Sequence, residues 1–142
     1  MATLTVTIKE EIVLNDTEHG SETVFSDTNI TEFFERIVRC PHTSETTLLT
    51  FGSAAGGNTF IDTNCEYVRV TNNDPTNFVT LRILGNSEEY FVKIEPTGSY
   101  LLFNDQMDAN ASGSQTASLA NIDEIKAQAD TATCQVAIFA AA

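Results

Sequence analysis

Between residues 67 and 103 the chain carries four short runs of β-branched, aromatic and aliphatic side chains, separated by Asn, Asp, Pro and Gly. This is the pattern of successive antiparallel strands. In residues 67–71, Val68 and Val70 face one way and Tyr67, Arg69 and Thr71 the other. Asn72-Asn73-Asp74-Pro75 predicts a turn, because short polar side chains bond nearby backbone and proline restricts the residue before it. In residues 78–84, Val79, Leu81 and Ile83 form the core face, opposite Phe78, Thr80, Arg82 and Leu84. Gly85-Asn86-Ser87 ends that strand and residues 90–94 resume it. Glu95-Pro96-Thr97-Gly98 reads as a type I turn, with Pro second and Gly fourth, and residues 100–103 are the fourth run.

Upstream, Leu4, Val6 and Ile8 alternate with threonines in a strand over residues 3–8. Lys9, Glu10 and Glu11 interrupt it, residues 12–14 form a second short strand, and residues 15–23 read as a polar loop. Residues 23–25 support another short strand. FFERIVRC, residues 33–40, alternates up to Pro41 and predicts a strand with Phe34, Val38 and Cys40 inward, in competition with a helix capped by Thr31. Residues 46–51 are a strand, residues 52–57 a flexible Gly/Ala/Ser loop, and Phe60-Ile61 a small strand. Residues 104–118 lack large side chains except Met107 and read as a long surface loop. Asn121 and Glu124 have capping-box spacing, which favours a helix over 121–129. The alternation in residues 123–129 and 133–139 favours a final hairpin instead, and that reading is preferred.

About eight to ten strands in one small chain favour two packed antiparallel sheets, since each sheet must bury an apolar face. The expected fold is therefore all-β: a two-sheet antiparallel β-sandwich, compatible with a jelly-roll, as a single domain over residues 1–142.

Charge narrows the function classes. With 20 acidic residues against 7 Lys and Arg, the chain carries a formal charge of −13. Nucleic acid and anionic membrane are disfavoured as partners, whereas a basic protein surface suits the charge. The start, MATLTVTIKEE, lacks the features of a secretory signal. Three isolated cysteines, Cys40, Cys65 and Cys134, do not make a disulfide framework and read as small reduced hydrophobes. Synthesis in a reducing cytoplasm is the expectation.

Candidate chemistry is sparse. His19 and His42 stand alone beside loops, without zinc spacing. Cys40-Pro41-His42 holds a thiol and an imidazole, but adjacency in sequence does not create a nucleophile–base pair. Asn104, Asp105, Asp108 and Asn110 offer oxygen ligands without the glycine and glutamate of a calcium loop. Asp16, Glu18 and Glu22 form a second acidic group. Glu10-Glu11 and Glu88-Glu89 are paired carboxylates that a strand would point to opposite faces. Gly56-Gly57 is a loop signal only, and Arg36, Arg39, Arg69 and Arg82 are too scattered for a nucleic-acid stripe. Asn15-Asp16-Thr17, Asn29-Ile30-Thr31 and Asn110-Ala111-Ser112 match glycosylation sequons. Tyr67, Phe78, Tyr90, Phe91, Tyr100 and Phe103 read as core and interface aromatics ahead of a carbohydrate platform. No catalytic, cofactor-binding or metal-ligating residue is assigned, and no cofactor is expected.

The segments EYVRVTNND (66–74), FVTLR (78–82) and YFVKIEPTGS (90–99) resemble small β-sandwich virion proteins of tailed bacteriophages, over about a third of the chain. The resemblance implies a noncatalytic virion protein, synthesised in the host cytoplasm, that serves as capsid decoration or as a head–tail component. Its implied partners are further copies of itself, as a homo-oligomer, and another capsid or tail protein. Candidate contacts are the N-terminal strand, residues 52–57, residues 104–118 and the apolar C-terminus. The alternatives are a carbohydrate- or receptor-binding module, which needs an aromatic platform or calcium-ordered loop, and a β-sandwich enzyme, which needs a pocket of convergent acids or a metal.

Overall fold

Alternation of apolar and polar side chains becomes strand through most of the chain. The computed structural model describes residues 1–54, 56–61, 65–109 and 116–142. They fall into two compact units, Met1–Glu32 and Phe33–Ala142.

The first unit is one long antiparallel hairpin of β1 (Ala2–Leu14) and β2 (Thr17–Ile30). The expected break at residues 9–11 and loop over 15–23 are absent. Lys9, Glu10 and Glu11 continue β1, paired with Glu22, Ser21 and Gly20. Only Asn15 and Asp16 turn, both at positive φ (52° and 61°), which is the type I′ geometry that matches strand twist. Charged residues are tolerated here because both faces of the ribbon meet solvent at that point. Gly20, at φ 143°, allows a close approach: a Cβ there would lie 2.0 Å from the Glu10 carbonyl oxygen.

The second unit carries β3 (Phe33–Cys40), β4 (Thr46–Gly52), β5 (Thr59–Ile61), β6 (Tyr67–Asn72), β7 (Val79–Gly85), β8 (Glu88–Ile94), β9 (Ser99–Leu102), β10 (Gln106–Met107), β11 (Ala120–Asn121), β12 (Glu124–Ala129) and β13 (Cys134–Ala141). A five-stranded sheet runs β5-β4-β12-β7-β8 and a four-stranded sheet runs β3-β13-β6-β9. The pairs are antiparallel except β4–β5, which is parallel. The fold is all-β with several antiparallel sheets, and among the described residues neither large sheet closes into a jelly-roll barrel.

Both sheets feed one buried cluster: Val79, Leu81, Ile83 and Ile125 from the first, Val68, Val70, Val136 and Ile138 from the second. The predicted inward residues of β3 follow, with Cys40 buried and Phe34 and Val38 packed against that cluster. A register shift between Ile125 and Lys126 leaves Leu48 as the extra residue on β4. This bulge turns both Leu48 and Leu49 inward.

The strands of 67–103 do not form a meander. Only β7 and β8 are a hairpin, closed by Asn86 and Ser87 at φ 51° and 66°. β6 and β9 belong to the other sheet and pair with each other. Likewise residues 124–129 and 134–141 are strands, not helix, but they are not a hairpin: β12 pairs with β4 and β7, and β13 with β3 and β6. At Glu95–Gly98 the Gly98 amide bonds the Glu95 carbonyl at 2.9 Å. Thr97 sits at φ 63°, which makes the turn type II rather than type I. In the expected surface loop, Met107 and Asp105 are buried and β10 pairs with β11.

Asn72 is fully buried at the point where the chain leaves β6 for the other sheet. Its amide nitrogen donates to the carbonyls of Asn77 (2.8 Å), Glu95 (3.3 Å) and Ile94 (3.5 Å), and its side-chain oxygen accepts from the Asp74 amide at 3.0 Å. Asn72→Ala strips the partner from buried and part-buried backbone groups, so urea unfolding is expected to show a loss of about 3 kcal/mol. Ser87→Gly relieves a left-handed residue in the β7–β8 turn and is expected to gain up to about 1 kcal/mol in the same assay.

Candidate interaction surfaces

Because strand side chains alternate, the four-stranded sheet has a second face opposite the core. Its rows follow from register. Ile37, Ala137, Thr71 and Ser99 lie across from one another, then Glu35, Phe139, Arg69 and Leu101, then Phe33, Ala141 and Tyr67. The Tyr67 ring lies 5.3 Å from Phe103 and 6.2 Å from Phe139, and the Arg69 guanidinium sits 5.8 Å from the Phe139 ring centroid. Arg69 Nε is buried without a hydrogen-bond partner. Towards β3 the face opens to solvent, with Phe33 68% and Ile37 65% exposed. A second apolar exposure is the hairpin tip, where Ile12, Val13 and Leu14 are each about 60% exposed.

The cations are mostly committed. Arg82 bonds Glu45 at 3.0 Å and Glu89 through Nε at 2.7 Å, and lies over Phe91. These two carboxylates raise its pKa further. Lys9 pairs with Glu11 (2.8 Å), Lys93 with Glu95 (2.6 Å) and Lys126 with Glu124 (3.2 Å). Arg36 donates to the Gly57 carbonyl at 2.9 Å and to Asn58. Among the described residues, Arg39 and Arg69 have no acidic partner.

The sequence candidates are not brought together. Cys40 is buried while His42 is exposed, and the His42 carbonyl accepts from Gln128 at 2.8 Å. His19 lies on the hairpin opposite Ile12. Glu18 and Glu22 share a ribbon face but are four strand residues apart, about 13 Å, and Asp16 is in the turn. Glu10 and Glu11 point to opposite faces. Glu88 accepts from the Ala109 amide at 3.1 Å and Glu89 holds Arg82. Asp108 accepts from the Ser118 amide at 2.6 Å, and Asn104 from the Gln106 amide at 2.9 Å. Asn110 and its sequon, like Ala55 of the 52–57 loop, lie outside the described residues. No group of three or more His, Cys, Asp or Glu positioned for a metal occurs among the described residues.

A shallow depression of about 270 Å³ is lined by Glu45, Phe78, Thr80, Phe91, Gln128 and Asp130. Its Glu45 is paired with Arg82, which Glu89 also holds. Of the six aromatics considered for a platform, Tyr67 is buried, and the hydroxyls of Tyr90 and Tyr100 meet at 3.3 Å. Burial first, then this contact, raises the Tyr90 pKa. Of the six, only Phe91 and Phe103 are exposed, one on β8 and one just after β9, strands of different sheets. The apolar C-terminus is no free contact either: it is β13, between β3 and β6, with Ala140 and Ala141 buried.

Sequence reasoning passed over Phe33, Glu35, Ile37 and Arg39 as a surface. The signal was available, since placing Phe34, Val38 and Cys40 inward sends these four outward. Compared with protein-family models, curated proteins and solved structures, the chain matches none.

All three cysteines are free and buried. Burial raises Cys40 from 9.0 to about 11, assisted by Cys134 directly across the strand pair, and Cys65 from 9.0 to about 12. The folded protein therefore keeps protons that the unfolded chain releases. The stability contributed by these thiols is whole below pH 9 and declines as pH rises from 9 through 11 and 12. Urea midpoints across that range are expected to fall, and Cys40→Ser, which removes one such group, to flatten part of the decline. At pH 8 an aromatic disulfide reagent should label the native thiols slowly and the urea-unfolded ones at once.

Proposed function

We propose that this chain is a noncatalytic structural protein of a bacteriophage virion, a capsid decoration or head–tail component that self-associates and attaches to another virion protein. In this reading the two larger sheets are the layers of a β-sandwich. Their joint buried cluster and the Tyr90–Tyr100 contact from β8 to β9 support that arrangement. The protein is made in the host cytoplasm, where its reduced thiols suit the redox conditions.

The observation that carries the proposal is apolar side chains displayed on regular β-surface: Phe33 and Ile37 on β3, and Ile12, Val13 and Leu14 on the hairpin. Such groups gain free energy when another surface covers them. A two-stranded ribbon is also marginal by itself in water and gains by being covered. The net charge of −13 keeps free copies soluble and suits a basic partner.

Light scattering across protein concentration and salt tests this reading. Association through apolar surface is expected to give a closed oligomer whose mass holds or rises with salt, as repulsion between acidic copies is screened. A chain that stays monomeric throughout contradicts self-association.

A further inference from the structure

We infer that the free edge of β3 is the site at which two copies meet, pairing antiparallel about a two-fold axis through Ile37. This rests on the self-association proposed above and names its surface.

β3 is the outermost strand of the four-stranded sheet and pairs only with β13 among the described strands. Its outer side therefore presents backbone donors and acceptors able to extend a sheet. Glu35, Ile37 and Arg39 are exposed and share one face, with charges of opposite sign at equal distance on either side of Ile37. In an antiparallel pair centred on Ile37, Glu35 lies opposite Arg39 of the second copy, Arg39 opposite its Glu35, and Ile37 opposite its own counterpart. Opposite charges directly across a strand pair are favourable, and an apolar pair is at the centre. The pattern is self-complementary, as a two-fold interface requires. Its charge sum is zero, so two chains of −13 can approach here without stacking negative charge.

The other edges of the two larger sheets serve less well. β5 and β9 have three and four residues. β8 repeats the spacing with Glu89, Phe91 and Lys93, but Glu89 is held by Arg82 and Lys93 by Glu95. Glu35 and Arg39 have no ion-pair partner among the described residues. The second copy supplies one for each.

The test uses the full chain. Ile37→Cys under mild oxidation is expected to give a covalent dimer on denaturing gels, against a low background because the native thiols are buried. Phe91→Cys is not expected to do so. E35R and R39E are each expected to weaken self-association about tenfold or more, since each places two like-charge pairs across the axis. An equimolar mixture restores it, because one chain then offers two cations and the other two anions, and this recovery also shows that both variants fold. An oligomeric wild type whose mass is indifferent to E35R and R39E, with no Ile37→Cys dimer, overturns the β3 edge and leaves self-association standing. A wild type monomeric at every concentration overturns both.

Discussion

Asn72 occupies a place that no apolar side chain could fill. The chain leaves the four-stranded sheet there, and the carbonyls of Asn77, Ile94 and Glu95 converge on its fully buried side chain. Buried backbone acceptors without donors would each cost free energy of the order of a lost hydrogen bond. The two N–H groups of one primary amide are shared among the three, most closely with Asn77, and its oxygen accepts from the Asp74 amide. Two crossings of the chain are thereby tied together: β6 to β7, and β8 to β9 through the Glu95–Gly98 turn. Asp74 extends the arrangement, its carboxylate accepting from the amides of Asn77 (2.6 Å) and Thr76 (2.8 Å), which hold its pKa below the usual value.

With the crossings fixed, the rest is packing. Each sheet turns aliphatic side chains of period two towards the common cluster, and the bulge at Leu48 adds one more than strict alternation allows. The opposite faces are free to differ. The five-stranded sheet carries Arg82, Glu45 and Glu89 on its own, beside an exposed Phe91, whereas the four-stranded sheet carries Tyr67 and Phe139 there and leaves β3 uncovered.

Strand positions were legible because they depend on local alternation. Val79, Leu81 and Ile83 announce an inward face wherever their partners are, and residues 33–40 are a strand despite a competing helical reading. Pairing was not legible, because it depends on contacts distant in sequence. β12 and β13 are separated by four residues yet belong to different sheets, and nothing in Asp130-Thr131-Ala132-Thr133 distinguishes a hairpin turn from a crossing. The hairpin was not legible for another reason: a ribbon exposed on both faces needs no apolar period, so Lys9 reads as a break in a strand and Glu18 and Glu22 as loop. Of the candidate surface, the β3 face could be read from the sequence by alternation, but its position at a free edge could not.

Gly20 bears on that hairpin in a different way. A ribbon with weak alternation has little to prevent one strand from sliding along the other. Opposite Glu11, however, there is room only for a residue without a Cβ, and the Asn15-Asp16 turn fixes the count of residues from the tip. Sliding would carry His19 or Ser21 into the Glu10 carbonyl. The alignment of the ribbon is thus set sterically, at one notch, so Ile12 and Leu14 keep the same strand partners, His19 and Thr17, in every molecule.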